Sequence, residues 1–385
     1  MSSKIAFPDY NNCIMGIPNS IVRYYGGKAN HRGLDLLDTA FDHEYKNVLF
    51  MIYDGMGTKM LADNLPKESF LRQNIKSEIS SVFPSTTVAA CTSYYSGQSP
   101  LEHGWLGWAL YFNEFDKQIE IFTGYEYFTR EPSGQTDIGN SIMPFKSIYS
   151  KIDKATSKKV KTYSLYPSYI ARPADPETVL GYDSFDAMLS LTADLCEADG
   201  KKFILAYYPQ PDSTSHKTGC ASKEVKTILE EMNAKTAAFC DGLEDTLVII
   251  SADHGHIDIK KDVFLNEIPE LDNCLLRPPS IEPRAASIFV KPGMEDTFAK
   301  LFDKHLGEDF LLFSKQRVLD MGLFGPGKGH IRYNGFIGDF VAAATGNTLL
   351  RYQLPDCPEP VKFLSHHAGL TAAEMYVPLI LIKKP

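Results

Sequence analysis

A carboxylate and an imidazole stand side by side at Asp253 and His254, directly after a short apolar run. That run, Leu247–Ile250, is rich in β-branched residues and lies between Asp245 and Gly255, a pattern typical of a buried strand. Open α/β sheets bind ligands beyond the carboxyl ends of their strands, and mixed oxygen and nitrogen donors suit zinc and similar divalent metals. The pair alone is equally typical of a polar turn, so its interpretation depends on the residues at the ends of the other strands.

Two further apolar runs end in the same kind of residue. Val48–Tyr53 leads into Asp54, and Phe203–Tyr208 leads into a loop that holds Asp212 and His216. An Asp and a His four residues apart in such a loop can reach one ion, although the spacing also occurs by chance. Each of these carboxylates could be a simple turn residue. Together they predict that several metal-binding side chains meet at one edge of a parallel sheet.

A hydroxyl group lies at the start of a predicted helix. The strand Glu78–Phe83 is followed by Pro84-Ser85-Thr86-Thr87, and the next residues predict a short helix that ends at Gly97. Thr87 would then lie where free backbone N–H groups and the helix dipole favour an anion such as phosphate. The alternative is that Thr86 or Thr87 only caps the helix.

Histidines occur at several other places in the chain. The pair His366-His367 comes shortly before Tyr376–Ile382, which predicts a final core strand. Isolated histidines are usually not metal ligands, and we expect the remaining six to have no such role: His31, His43, His103, His256, His305 and His330.

The collected strand-end groups are three carboxylates, three imidazoles and one hydroxyl. They could share two divalent ions about 4 Å apart, as in two-metal phosphoryl-transfer sites. A threonine hydroxyl is a poor nucleophile on its own, and coordination to a metal would activate it. The predicted site consists of Asp54, Thr87, Asp212, His216, Asp253, His254 and His367.

The elements that must position this site predict an α/β fold with a mainly parallel central sheet flanked by helices. An amphipathic helix over Ser222–Cys240 joins two of the predicted strands into a βαβ unit. We assign residues 1–257 and 363–385 to the catalytic core and 258–362 to a small inserted α/β subdomain that caps the site. Other predicted elements are helices at Leu34–Phe41, Ser184–Ala198 and Met294–Leu306, and strands at Lys158–Leu165, Ala286–Val290, Phe310–Phe313 and Phe340–Ala344. Residues 105–150 are aromatic and predicted to be irregular.

Composition limits the classes of function. The chain has 385 residues, 44% of them hydrophobic and 23% charged, which is typical of an ordinary globular protein. The formal net charge of −9 disfavours binding to nucleic acid polymers or an acidic membrane surface. Seven scattered cysteines without paired spacing favour reduced thiols and a cytoplasmic protein. We see neither a secretory signal nor an apolar run near the roughly 20 residues of a membrane helix.

Taken together, the ordered set of motifs resembles the alkaline phosphatase superfamily, and within it the type I phosphodiesterase/nucleotide pyrophosphatase family. The motifs appear in the family's order and cover most of the core. They are Tyr53-Asp54-Gly55-Met56-Gly57, Phe83-Pro84-Ser85-Thr86-Thr87, Ser96-Gly97, Glu102-His103-Gly104, Asp212 with His216, Ala252-Asp253-His254-Gly255, and His367-Ala368-Gly369-Leu370.

The resemblance implies a hydrolase of phosphate esters, acting on phosphodiester or pyrophosphate bonds of a small-molecule substrate. It implies two ions, with zinc preferred and manganese or iron as alternatives. Asp212, His216 and His367 would hold one ion. The other would be held by Asp54, Asp253 and His254, and it would also bind Thr87, the nucleophile of a phosphothreonine mechanism. Thr87 is preferred to Thr86, and His367 to His366, by their positions in the family's pattern.

One position departs from the family. Members that cleave nucleotide diesters usually carry an Asn shortly after the His-Gly pair, where this chain has Trp108, with Asn113 as a possible substitute. The alternatives are a phosphomonoesterase, phosphonate hydrolase or phosphomutase of the same superfamily, or an inactive binding protein on this fold. A sulfatase is disfavoured because no Cys/Ser-x-Pro-x-Arg occurs. The sequence leaves the oligomeric state open.

Overall fold

The structure is a computed structural model, and it describes residues 4–135, 137–171 and 178–385. Its strands, numbered along the chain, are β1 Asn47–Tyr53, β2 Ile75–Ser80, β3 Ala109–Phe112, β4 Lys117–Glu120, β5 Val160–Pro167, β6 Val179–Tyr182, β7 Lys201–Tyr208, β8 Thr246–Ser251, β9 Ile257–Asp258, β10 Lys261–Phe264, β11 Ser280–Glu282, β12 Ala285–Ile288, β13 Phe310–Ser314, β14 Phe340–Ala344, β15 Thr348–Arg351, β16 Ser365–His366 and β17 Tyr376–Lys384.

The helices are α1 Gly16–Tyr24, α2 Asp35–Ala40, α3 Thr58–Asn64, α4 Phe70–Gln73, α5 Thr87–Ser96, α6 Pro100–His103, α7 Ile138–Ile142, α8 Ile148–Thr156, α9 Phe185–Glu197, α10 Asp212–Thr218, α11 Lys223–Asp241, α12 Pro269–Asp272, α13 Glu295–Leu306, α14 Lys315–Asp320, α15 Tyr333–Phe336 and α16 Ala372–Met375. None of the helices in these described ranges is long and apolar enough to cross a membrane.

The central sheet has seven strands in the order β2-β17-β8-β1-β7-β5-β6. The pairs β8–β1, β1–β7, β7–β5 and β5–β6 are parallel, and β17 runs antiparallel to both of its neighbours. Every residue of β1 and β8 is buried, because helices cover both faces and the strands can therefore be continuously apolar. The predicted mainly parallel α/β fold is confirmed.

A second sheet has six strands in the order β13-β14-β12-β11-β3-β4, and all of its pairs are antiparallel. Four of the strands come from the predicted insertion at 258–362, but β3 and β4 come from the aromatic stretch 105–150. The prediction that this stretch is irregular is wrong. Both strands have only four residues, and β3 joins the sheet through the single pair Ala109 and Ile281, so neither leaves a clear local pattern.

The sequence prediction also leaves out several short elements, and two differences lie near the site or the central sheet. Helix α1 is absent from the prediction. Strand β2 is predicted at Glu78–Phe83 but spans Ile75–Ser80, because it forms an edge of the sheet and its first four residues are not buried. The apolar residues that favour the later boundary, Val82 and Phe83, instead lie in a buried loop that leads to the site.

Three hydrophobic clusters fill the molecule. One surrounds the central sheet and one lies within the second sheet and α13. The third lies between the two sheets, and it joins Phe83 and the α5 residue Val88 to Leu110, Ala285 and Leu370. All seven cysteines are free.

Candidate active site

The first group of side chains, the strand-end cluster, consists of Asp54, Thr87, Asp253 and His254. Asp54 directly follows β1, Asp253 and His254 follow β8 after one residue, and Thr87 is the first residue of α5. Because β1 and β8 are adjacent and parallel, their carboxyl ends meet at one edge of the sheet. The structure therefore brings these four predicted site residues together at that edge, with the other three next to His254.

His254 lies at the centre of the strand-end cluster. Its Nε2 atom is 3.2 Å from Thr87 Oγ1, 3.3 Å from Asp54 Oδ1 and 3.4 Å from Asp253 Oδ2. Four ligands placed tetrahedrally at about 2.0–2.1 Å from a zinc ion are about 3.3 Å apart. The separations within this cluster therefore fit a single shared cation.

The second group, the imidazole cluster, consists of Asp212, His216, His256 and His367. These four residues bring one candidate ligand atom each to within 4.8 Å of one another. Asp212 and His216 lie on α10, one turn apart, and His367 follows β16. Asp212 also lies within the same distance of Asp54 and His254, so the two clusters are contiguous.

The distances to Asp212 Oδ1 separate His256 from the other two imidazoles. His216 Nε2 lies 3.3 Å away and His367 Nε2 3.7 Å away, as expected for ligands that surround one cation. His256 Nε2 lies only 2.6 Å away, which is a hydrogen-bond distance and too short for two ligands of one ion. His256 therefore orients the Asp212 carboxylate, a contact typical of residues that support metal ligands.

The other ring nitrogens fix the orientation of the ligand-type imidazoles. His216 Nδ1 lies 2.8 Å from the Ser365 carbonyl oxygen, and His367 Nδ1 lies 3.2 Å from the Ser85 carbonyl oxygen. Because a carbonyl only accepts, each Nδ1 must donate its proton. A neutral imidazole held in this way directs the lone pair of its Nε2 at the cluster.

One oxygen in the site lacks any partner among the described residues. Asp54 Oδ1 is buried without a hydrogen bond, while Asp54 Oδ2 accepts one from the Tyr207 hydroxyl. A buried carboxylate oxygen without a partner is costly, and a cation beside it would remove that cost. The residues present therefore fit a divalent metal.

Electrostatics favour the same conclusion. Burial, and then repulsion from Asp253 and Asp212, raises the pKa of Asp54 well above its usual range. Burial also lowers the pKa of His367 well below its usual range, so this imidazole is neutral and able to bind a metal. Three close carboxylates require positive charge to remain ionised together.

Two glycines allow the clusters to approach one another. Gly55 has φ +73°, and a Cβ there would lie 2.9 Å from Asp212 Cβ and from the His256 ring. A Cβ on Gly255 would lie 2.0 Å from the Ala373 carbonyl oxygen. A side chain at either position would clash with these neighbours. Glycine is therefore required directly after Asp54 and directly after His254.

Thr86 and Thr87 have different surroundings. Thr86 occupies the N-cap position of α5 but makes no side-chain cap, and its hydroxyl donates instead to Glu282 Oε1 at 2.7 Å. Thr87 is the threonine that reaches His254. The choice of Thr87 over Thr86 as the nucleophile stays a prediction.

The position where the family usually has Asn is also occupied differently. Trp108 lies beside the site and donates its backbone N–H to Glu282 Oε1 at 2.8 Å. Asn113 is exposed, and its Oδ1 accepts from Arg277. Asn113 therefore does not replace the missing amide, and a carboxyl group from the second sheet lies near that position.

A cavity of about 430 Å³ opens over both clusters. Its walls come from both sheets and include Thr87, Asp212, His366, Glu282, Arg351 and Phe363. His366 lines the cavity but lies outside the four-residue imidazole cluster. The sequence analysis missed His256, Glu282 and Tyr207. Of these three residues, only His256 could have been suspected from the sequence, because it lies two residues after the candidate ligand His254.

Comparison of the sequence with known proteins gives one family match. A family model described as type I phosphodiesterase/nucleotide pyrophosphatase matches residues 48–356. Among curated proteins, no sequence matches the chain.

Solved structures show a similar fold. Murine ectonucleotide pyrophosphatase/phosphodiesterase 5 has a TM-score of 0.63 and 16% identity, covering 86% of this chain and 87% of its own. The human protein of that name has a TM-score of 0.64, also at 16% identity, covering 87% of each chain. An inactive murine variant in which alanine replaces one threonine, in complex with AMP, has a TM-score of 0.63 and covers 88% of this chain at 16% identity.

Proposed function

From the premise that the chain belongs to the type I phosphodiesterase/nucleotide pyrophosphatase family of the alkaline phosphatase superfamily, and is therefore a phosphoric ester hydrolase, we propose that it cleaves phosphodiester or pyrophosphate bonds through Thr87 and two divalent ions. The single observation that supports this most is the convergence of Thr87 Oγ1, Asp54 Oδ1 and Asp253 Oδ2 around His254 Nε2. The Thr87 hydroxyl is a candidate nucleophile, the start of α5 is a candidate anion site, and the surrounding side chains are candidate metal ligands.

Thr87 acts as the nucleophile. Its oxygen forms a bond to phosphorus as the bond to the leaving oxygen breaks, which gives a phosphothreonine. Water then attacks the same phosphorus, the bond to Thr87 breaks, and the hydroxyl is restored. The free N–H groups at the start of α5 point towards the negatively charged phosphoryl oxygens and stabilise them in both steps.

Asp54, Asp253, His254 and Thr87 hold one ion, and Asp212, His216 and His367 hold the other. Mixed Asp and His ligation suits zinc, with manganese or iron as alternatives. When bound, the two ions supply the positive charge that lowers the pKa of the Thr87 hydroxyl and neutralises the phosphate.

Two further side chains hold the ligands in place. His256 donates its Nε2–H to Asp212 and fixes the direction of that carboxylate. Tyr207 donates its hydroxyl to Asp54 Oδ2, which leaves Oδ1 for the cation. Such supporting contacts commonly change metal affinity or activity by about 10–100-fold when they are removed.

The proposed substrate is a small molecule with a phosphodiester or pyrophosphate bond. The names of the murine and human relatives indicate pyrophosphatase and phosphodiesterase activity, and one murine structure holds AMP. The inactive murine variant, which lacks one threonine, supports an essential threonine in this fold. The cavity of about 430 Å³ lies within the range of small-molecule sites.

The test combines metal analysis with a substrate panel. Purified protein should hold about two transition-metal ions per chain by elemental analysis, and should hydrolyse bis(4-nitrophenyl) phosphate or a dinucleotide pyrophosphate in a chelator-sensitive manner. The panel also includes an aryl monoester and an aryl phosphonate. Absence of bound transition metal, together with activity that chelators leave unchanged, would contradict the proposal.

A further inference from the structure

A buried carboxyl group lies beside the nucleophile but belongs to neither metal cluster. Glu282 is the last residue of β11 and is only 6% exposed. Its Oε1 accepts two hydrogen bonds, from the Thr86 hydroxyl at 2.7 Å and from the Trp108 backbone N–H at 2.8 Å. Glu282 therefore lies against the residue that directly precedes Thr87, on the wall of the cavity that contains Thr87.

This placement brings a carboxyl group to the wall of the cavity in which a phosphoryl group attacked by Thr87 would lie. An amide at this place would donate to a phosphoryl oxygen, whereas an ionised carboxylate can only accept hydrogen bonds. Both donors near Glu282 are directed at Oε1, so Oε2 is the oxygen left for a ligand. Burial raises the pKa of Glu282 to about 7, so the carboxyl group is mostly ionised at pH 8.

We infer that Glu282 is a specificity-determining residue that favours substrates whose reacting phosphorus carries one negative charge over those that carry two. Phosphodiesters and pyrophosphate diesters belong to the first class, and phosphate monoesters belong to the second. This inference rests on the proposed function, because it concerns the phosphoryl group that Thr87 attacks.

The physical reason is like-charge repulsion at short range. The first negative charge of any substrate is repelled by Glu282, and the two ions offset this repulsion. A monoester brings a second charge to the same place, and only the monoester is penalised for that charge. In the partly desolvated cavity, one extra unit of like charge is expected to reduce kcat/KM by roughly tenfold to a hundredfold.

The experiment compares wild type with Glu282→Gln in the metal-loaded enzyme. Glutamine keeps an acceptor oxygen for Thr86 and Trp108 but removes the negative charge. The measured quantity is the ratio of kcat/KM for 4-nitrophenyl phosphate to that for bis(4-nitrophenyl) phosphate at pH 8. Metal content and melting temperature are recorded for each variant.

A matched control is Glu120→Gln. Glu120 lines the same cavity but lies on β4, two strands away from β11 through the pairs Glu120–Ala109 and Ala109–Ile281. Neighbouring strands are about 4.8 Å apart, and Glu120 is only partly buried, so solvent screens its charge. Glu282→Asp is a second variant, because it keeps the charge.

We expect the monoester-to-diester ratio to rise at least tenfold in Glu282→Gln and to change less than about threefold in Glu120→Gln and Glu282→Asp. An unchanged ratio in Glu282→Gln would overturn the inference. This includes the case in which kcat/KM falls equally for both substrates, which a purely positioning role predicts. Wild-type enzyme that hydrolyses no diester or pyrophosphate at all would instead overturn the proposed function.

Discussion

The two sheets contribute to the cavity in different ways. The seven-stranded sheet, with the elements that directly follow its strands, supplies six of the seven proposed metal ligands. The six-stranded sheet supplies no proposed ligand. It contributes wall residues and the carboxyl group of Glu282. This difference suggests that the first sheet determines whether phosphoryl transfer occurs and the second determines which phosphate ester reaches it.

The largest expected effect concerns the first sheet. His254→Ala should lower diester turnover by about a thousandfold or more, because it removes the imidazole around which Thr87, Asp54 and Asp253 are arranged. Elemental analysis should find about one ion per chain instead of two. His103→Ala is the control, since His103 is also buried, its Nε2 lies 3.1 Å from the Ser93 hydroxyl, and it belongs to neither cluster. Equal losses in both variants would contradict the special role of His254.

A second prediction concerns the contribution of the second sheet to the stability of the protein. Arg284, just before β12, and Glu374 are fully buried, and their side chains form two hydrogen bonds of 2.6 and 2.7 Å. Glu374 also accepts from the backbone N–H of Gly369, near His367. Arg284→Met would leave a buried carboxylate unpaired and should lower the free energy of unfolding by about 3–5 kcal/mol.

Urea unfolding measures this effect, with Arg332→Met as the control. Arg332 pairs with Glu114 near the surface, so its loss should cost no more than about 1 kcal/mol. Turnover per folded molecule should persist in Arg284→Met. Glu374 lies in α16, directly before β17 of the central sheet, so the pair connects the two sheets. An unchanged free energy of unfolding would contradict a stabilising role for this connection.

The site was only partly predictable from sequence. Asp54 and Asp253 could be recognised because each follows an apolar strand whose type is evident from the local pattern. His256 stands close to His254 in the sequence, but its role could not be assigned, because that role depends on Asp212, which lies 44 residues earlier in the chain. Glu282 depends on the pairing of β11 with β3, through one residue pair between strands 172 positions apart in sequence.

The fold shows the same division. The parallel sheet was predicted because long buried strands alternate with long helices. The antiparallel sheet was incomplete in the prediction, because β3 and β4 are short and are stabilised by partners far along the chain rather than by local periodicity. The assignment of 258–362 to a separate subdomain stays a prediction, and the sheet formed there includes residues 109–120.

The smallest of the three effects separates ligands from the residues that orient them. His256→Ala should weaken metal binding by about 10–100-fold while the bound stoichiometry at saturating zinc stays at two ions per chain. His366→Ala is the matched control, since His366 is also buried beside His216 but lies outside the imidazole cluster. Chelator competition measures the affinity. A lost ion at saturation would make His256 a ligand rather than an orienting residue.

The most direct test of the central claim is the diester turnover of the Thr87 variants, measured at known metal content. Thr87→Ala should lose nearly all turnover while it keeps two ions and its melting temperature. Thr87→Ser should retain part of it, because the hydroxyl remains. Thr86→Ala should remain active, but it removes the hydrogen bond to the buried Glu282 carboxyl group and should therefore lower stability by about 1–3 kcal/mol. Full activity in metal-loaded Thr87→Ala would contradict the account.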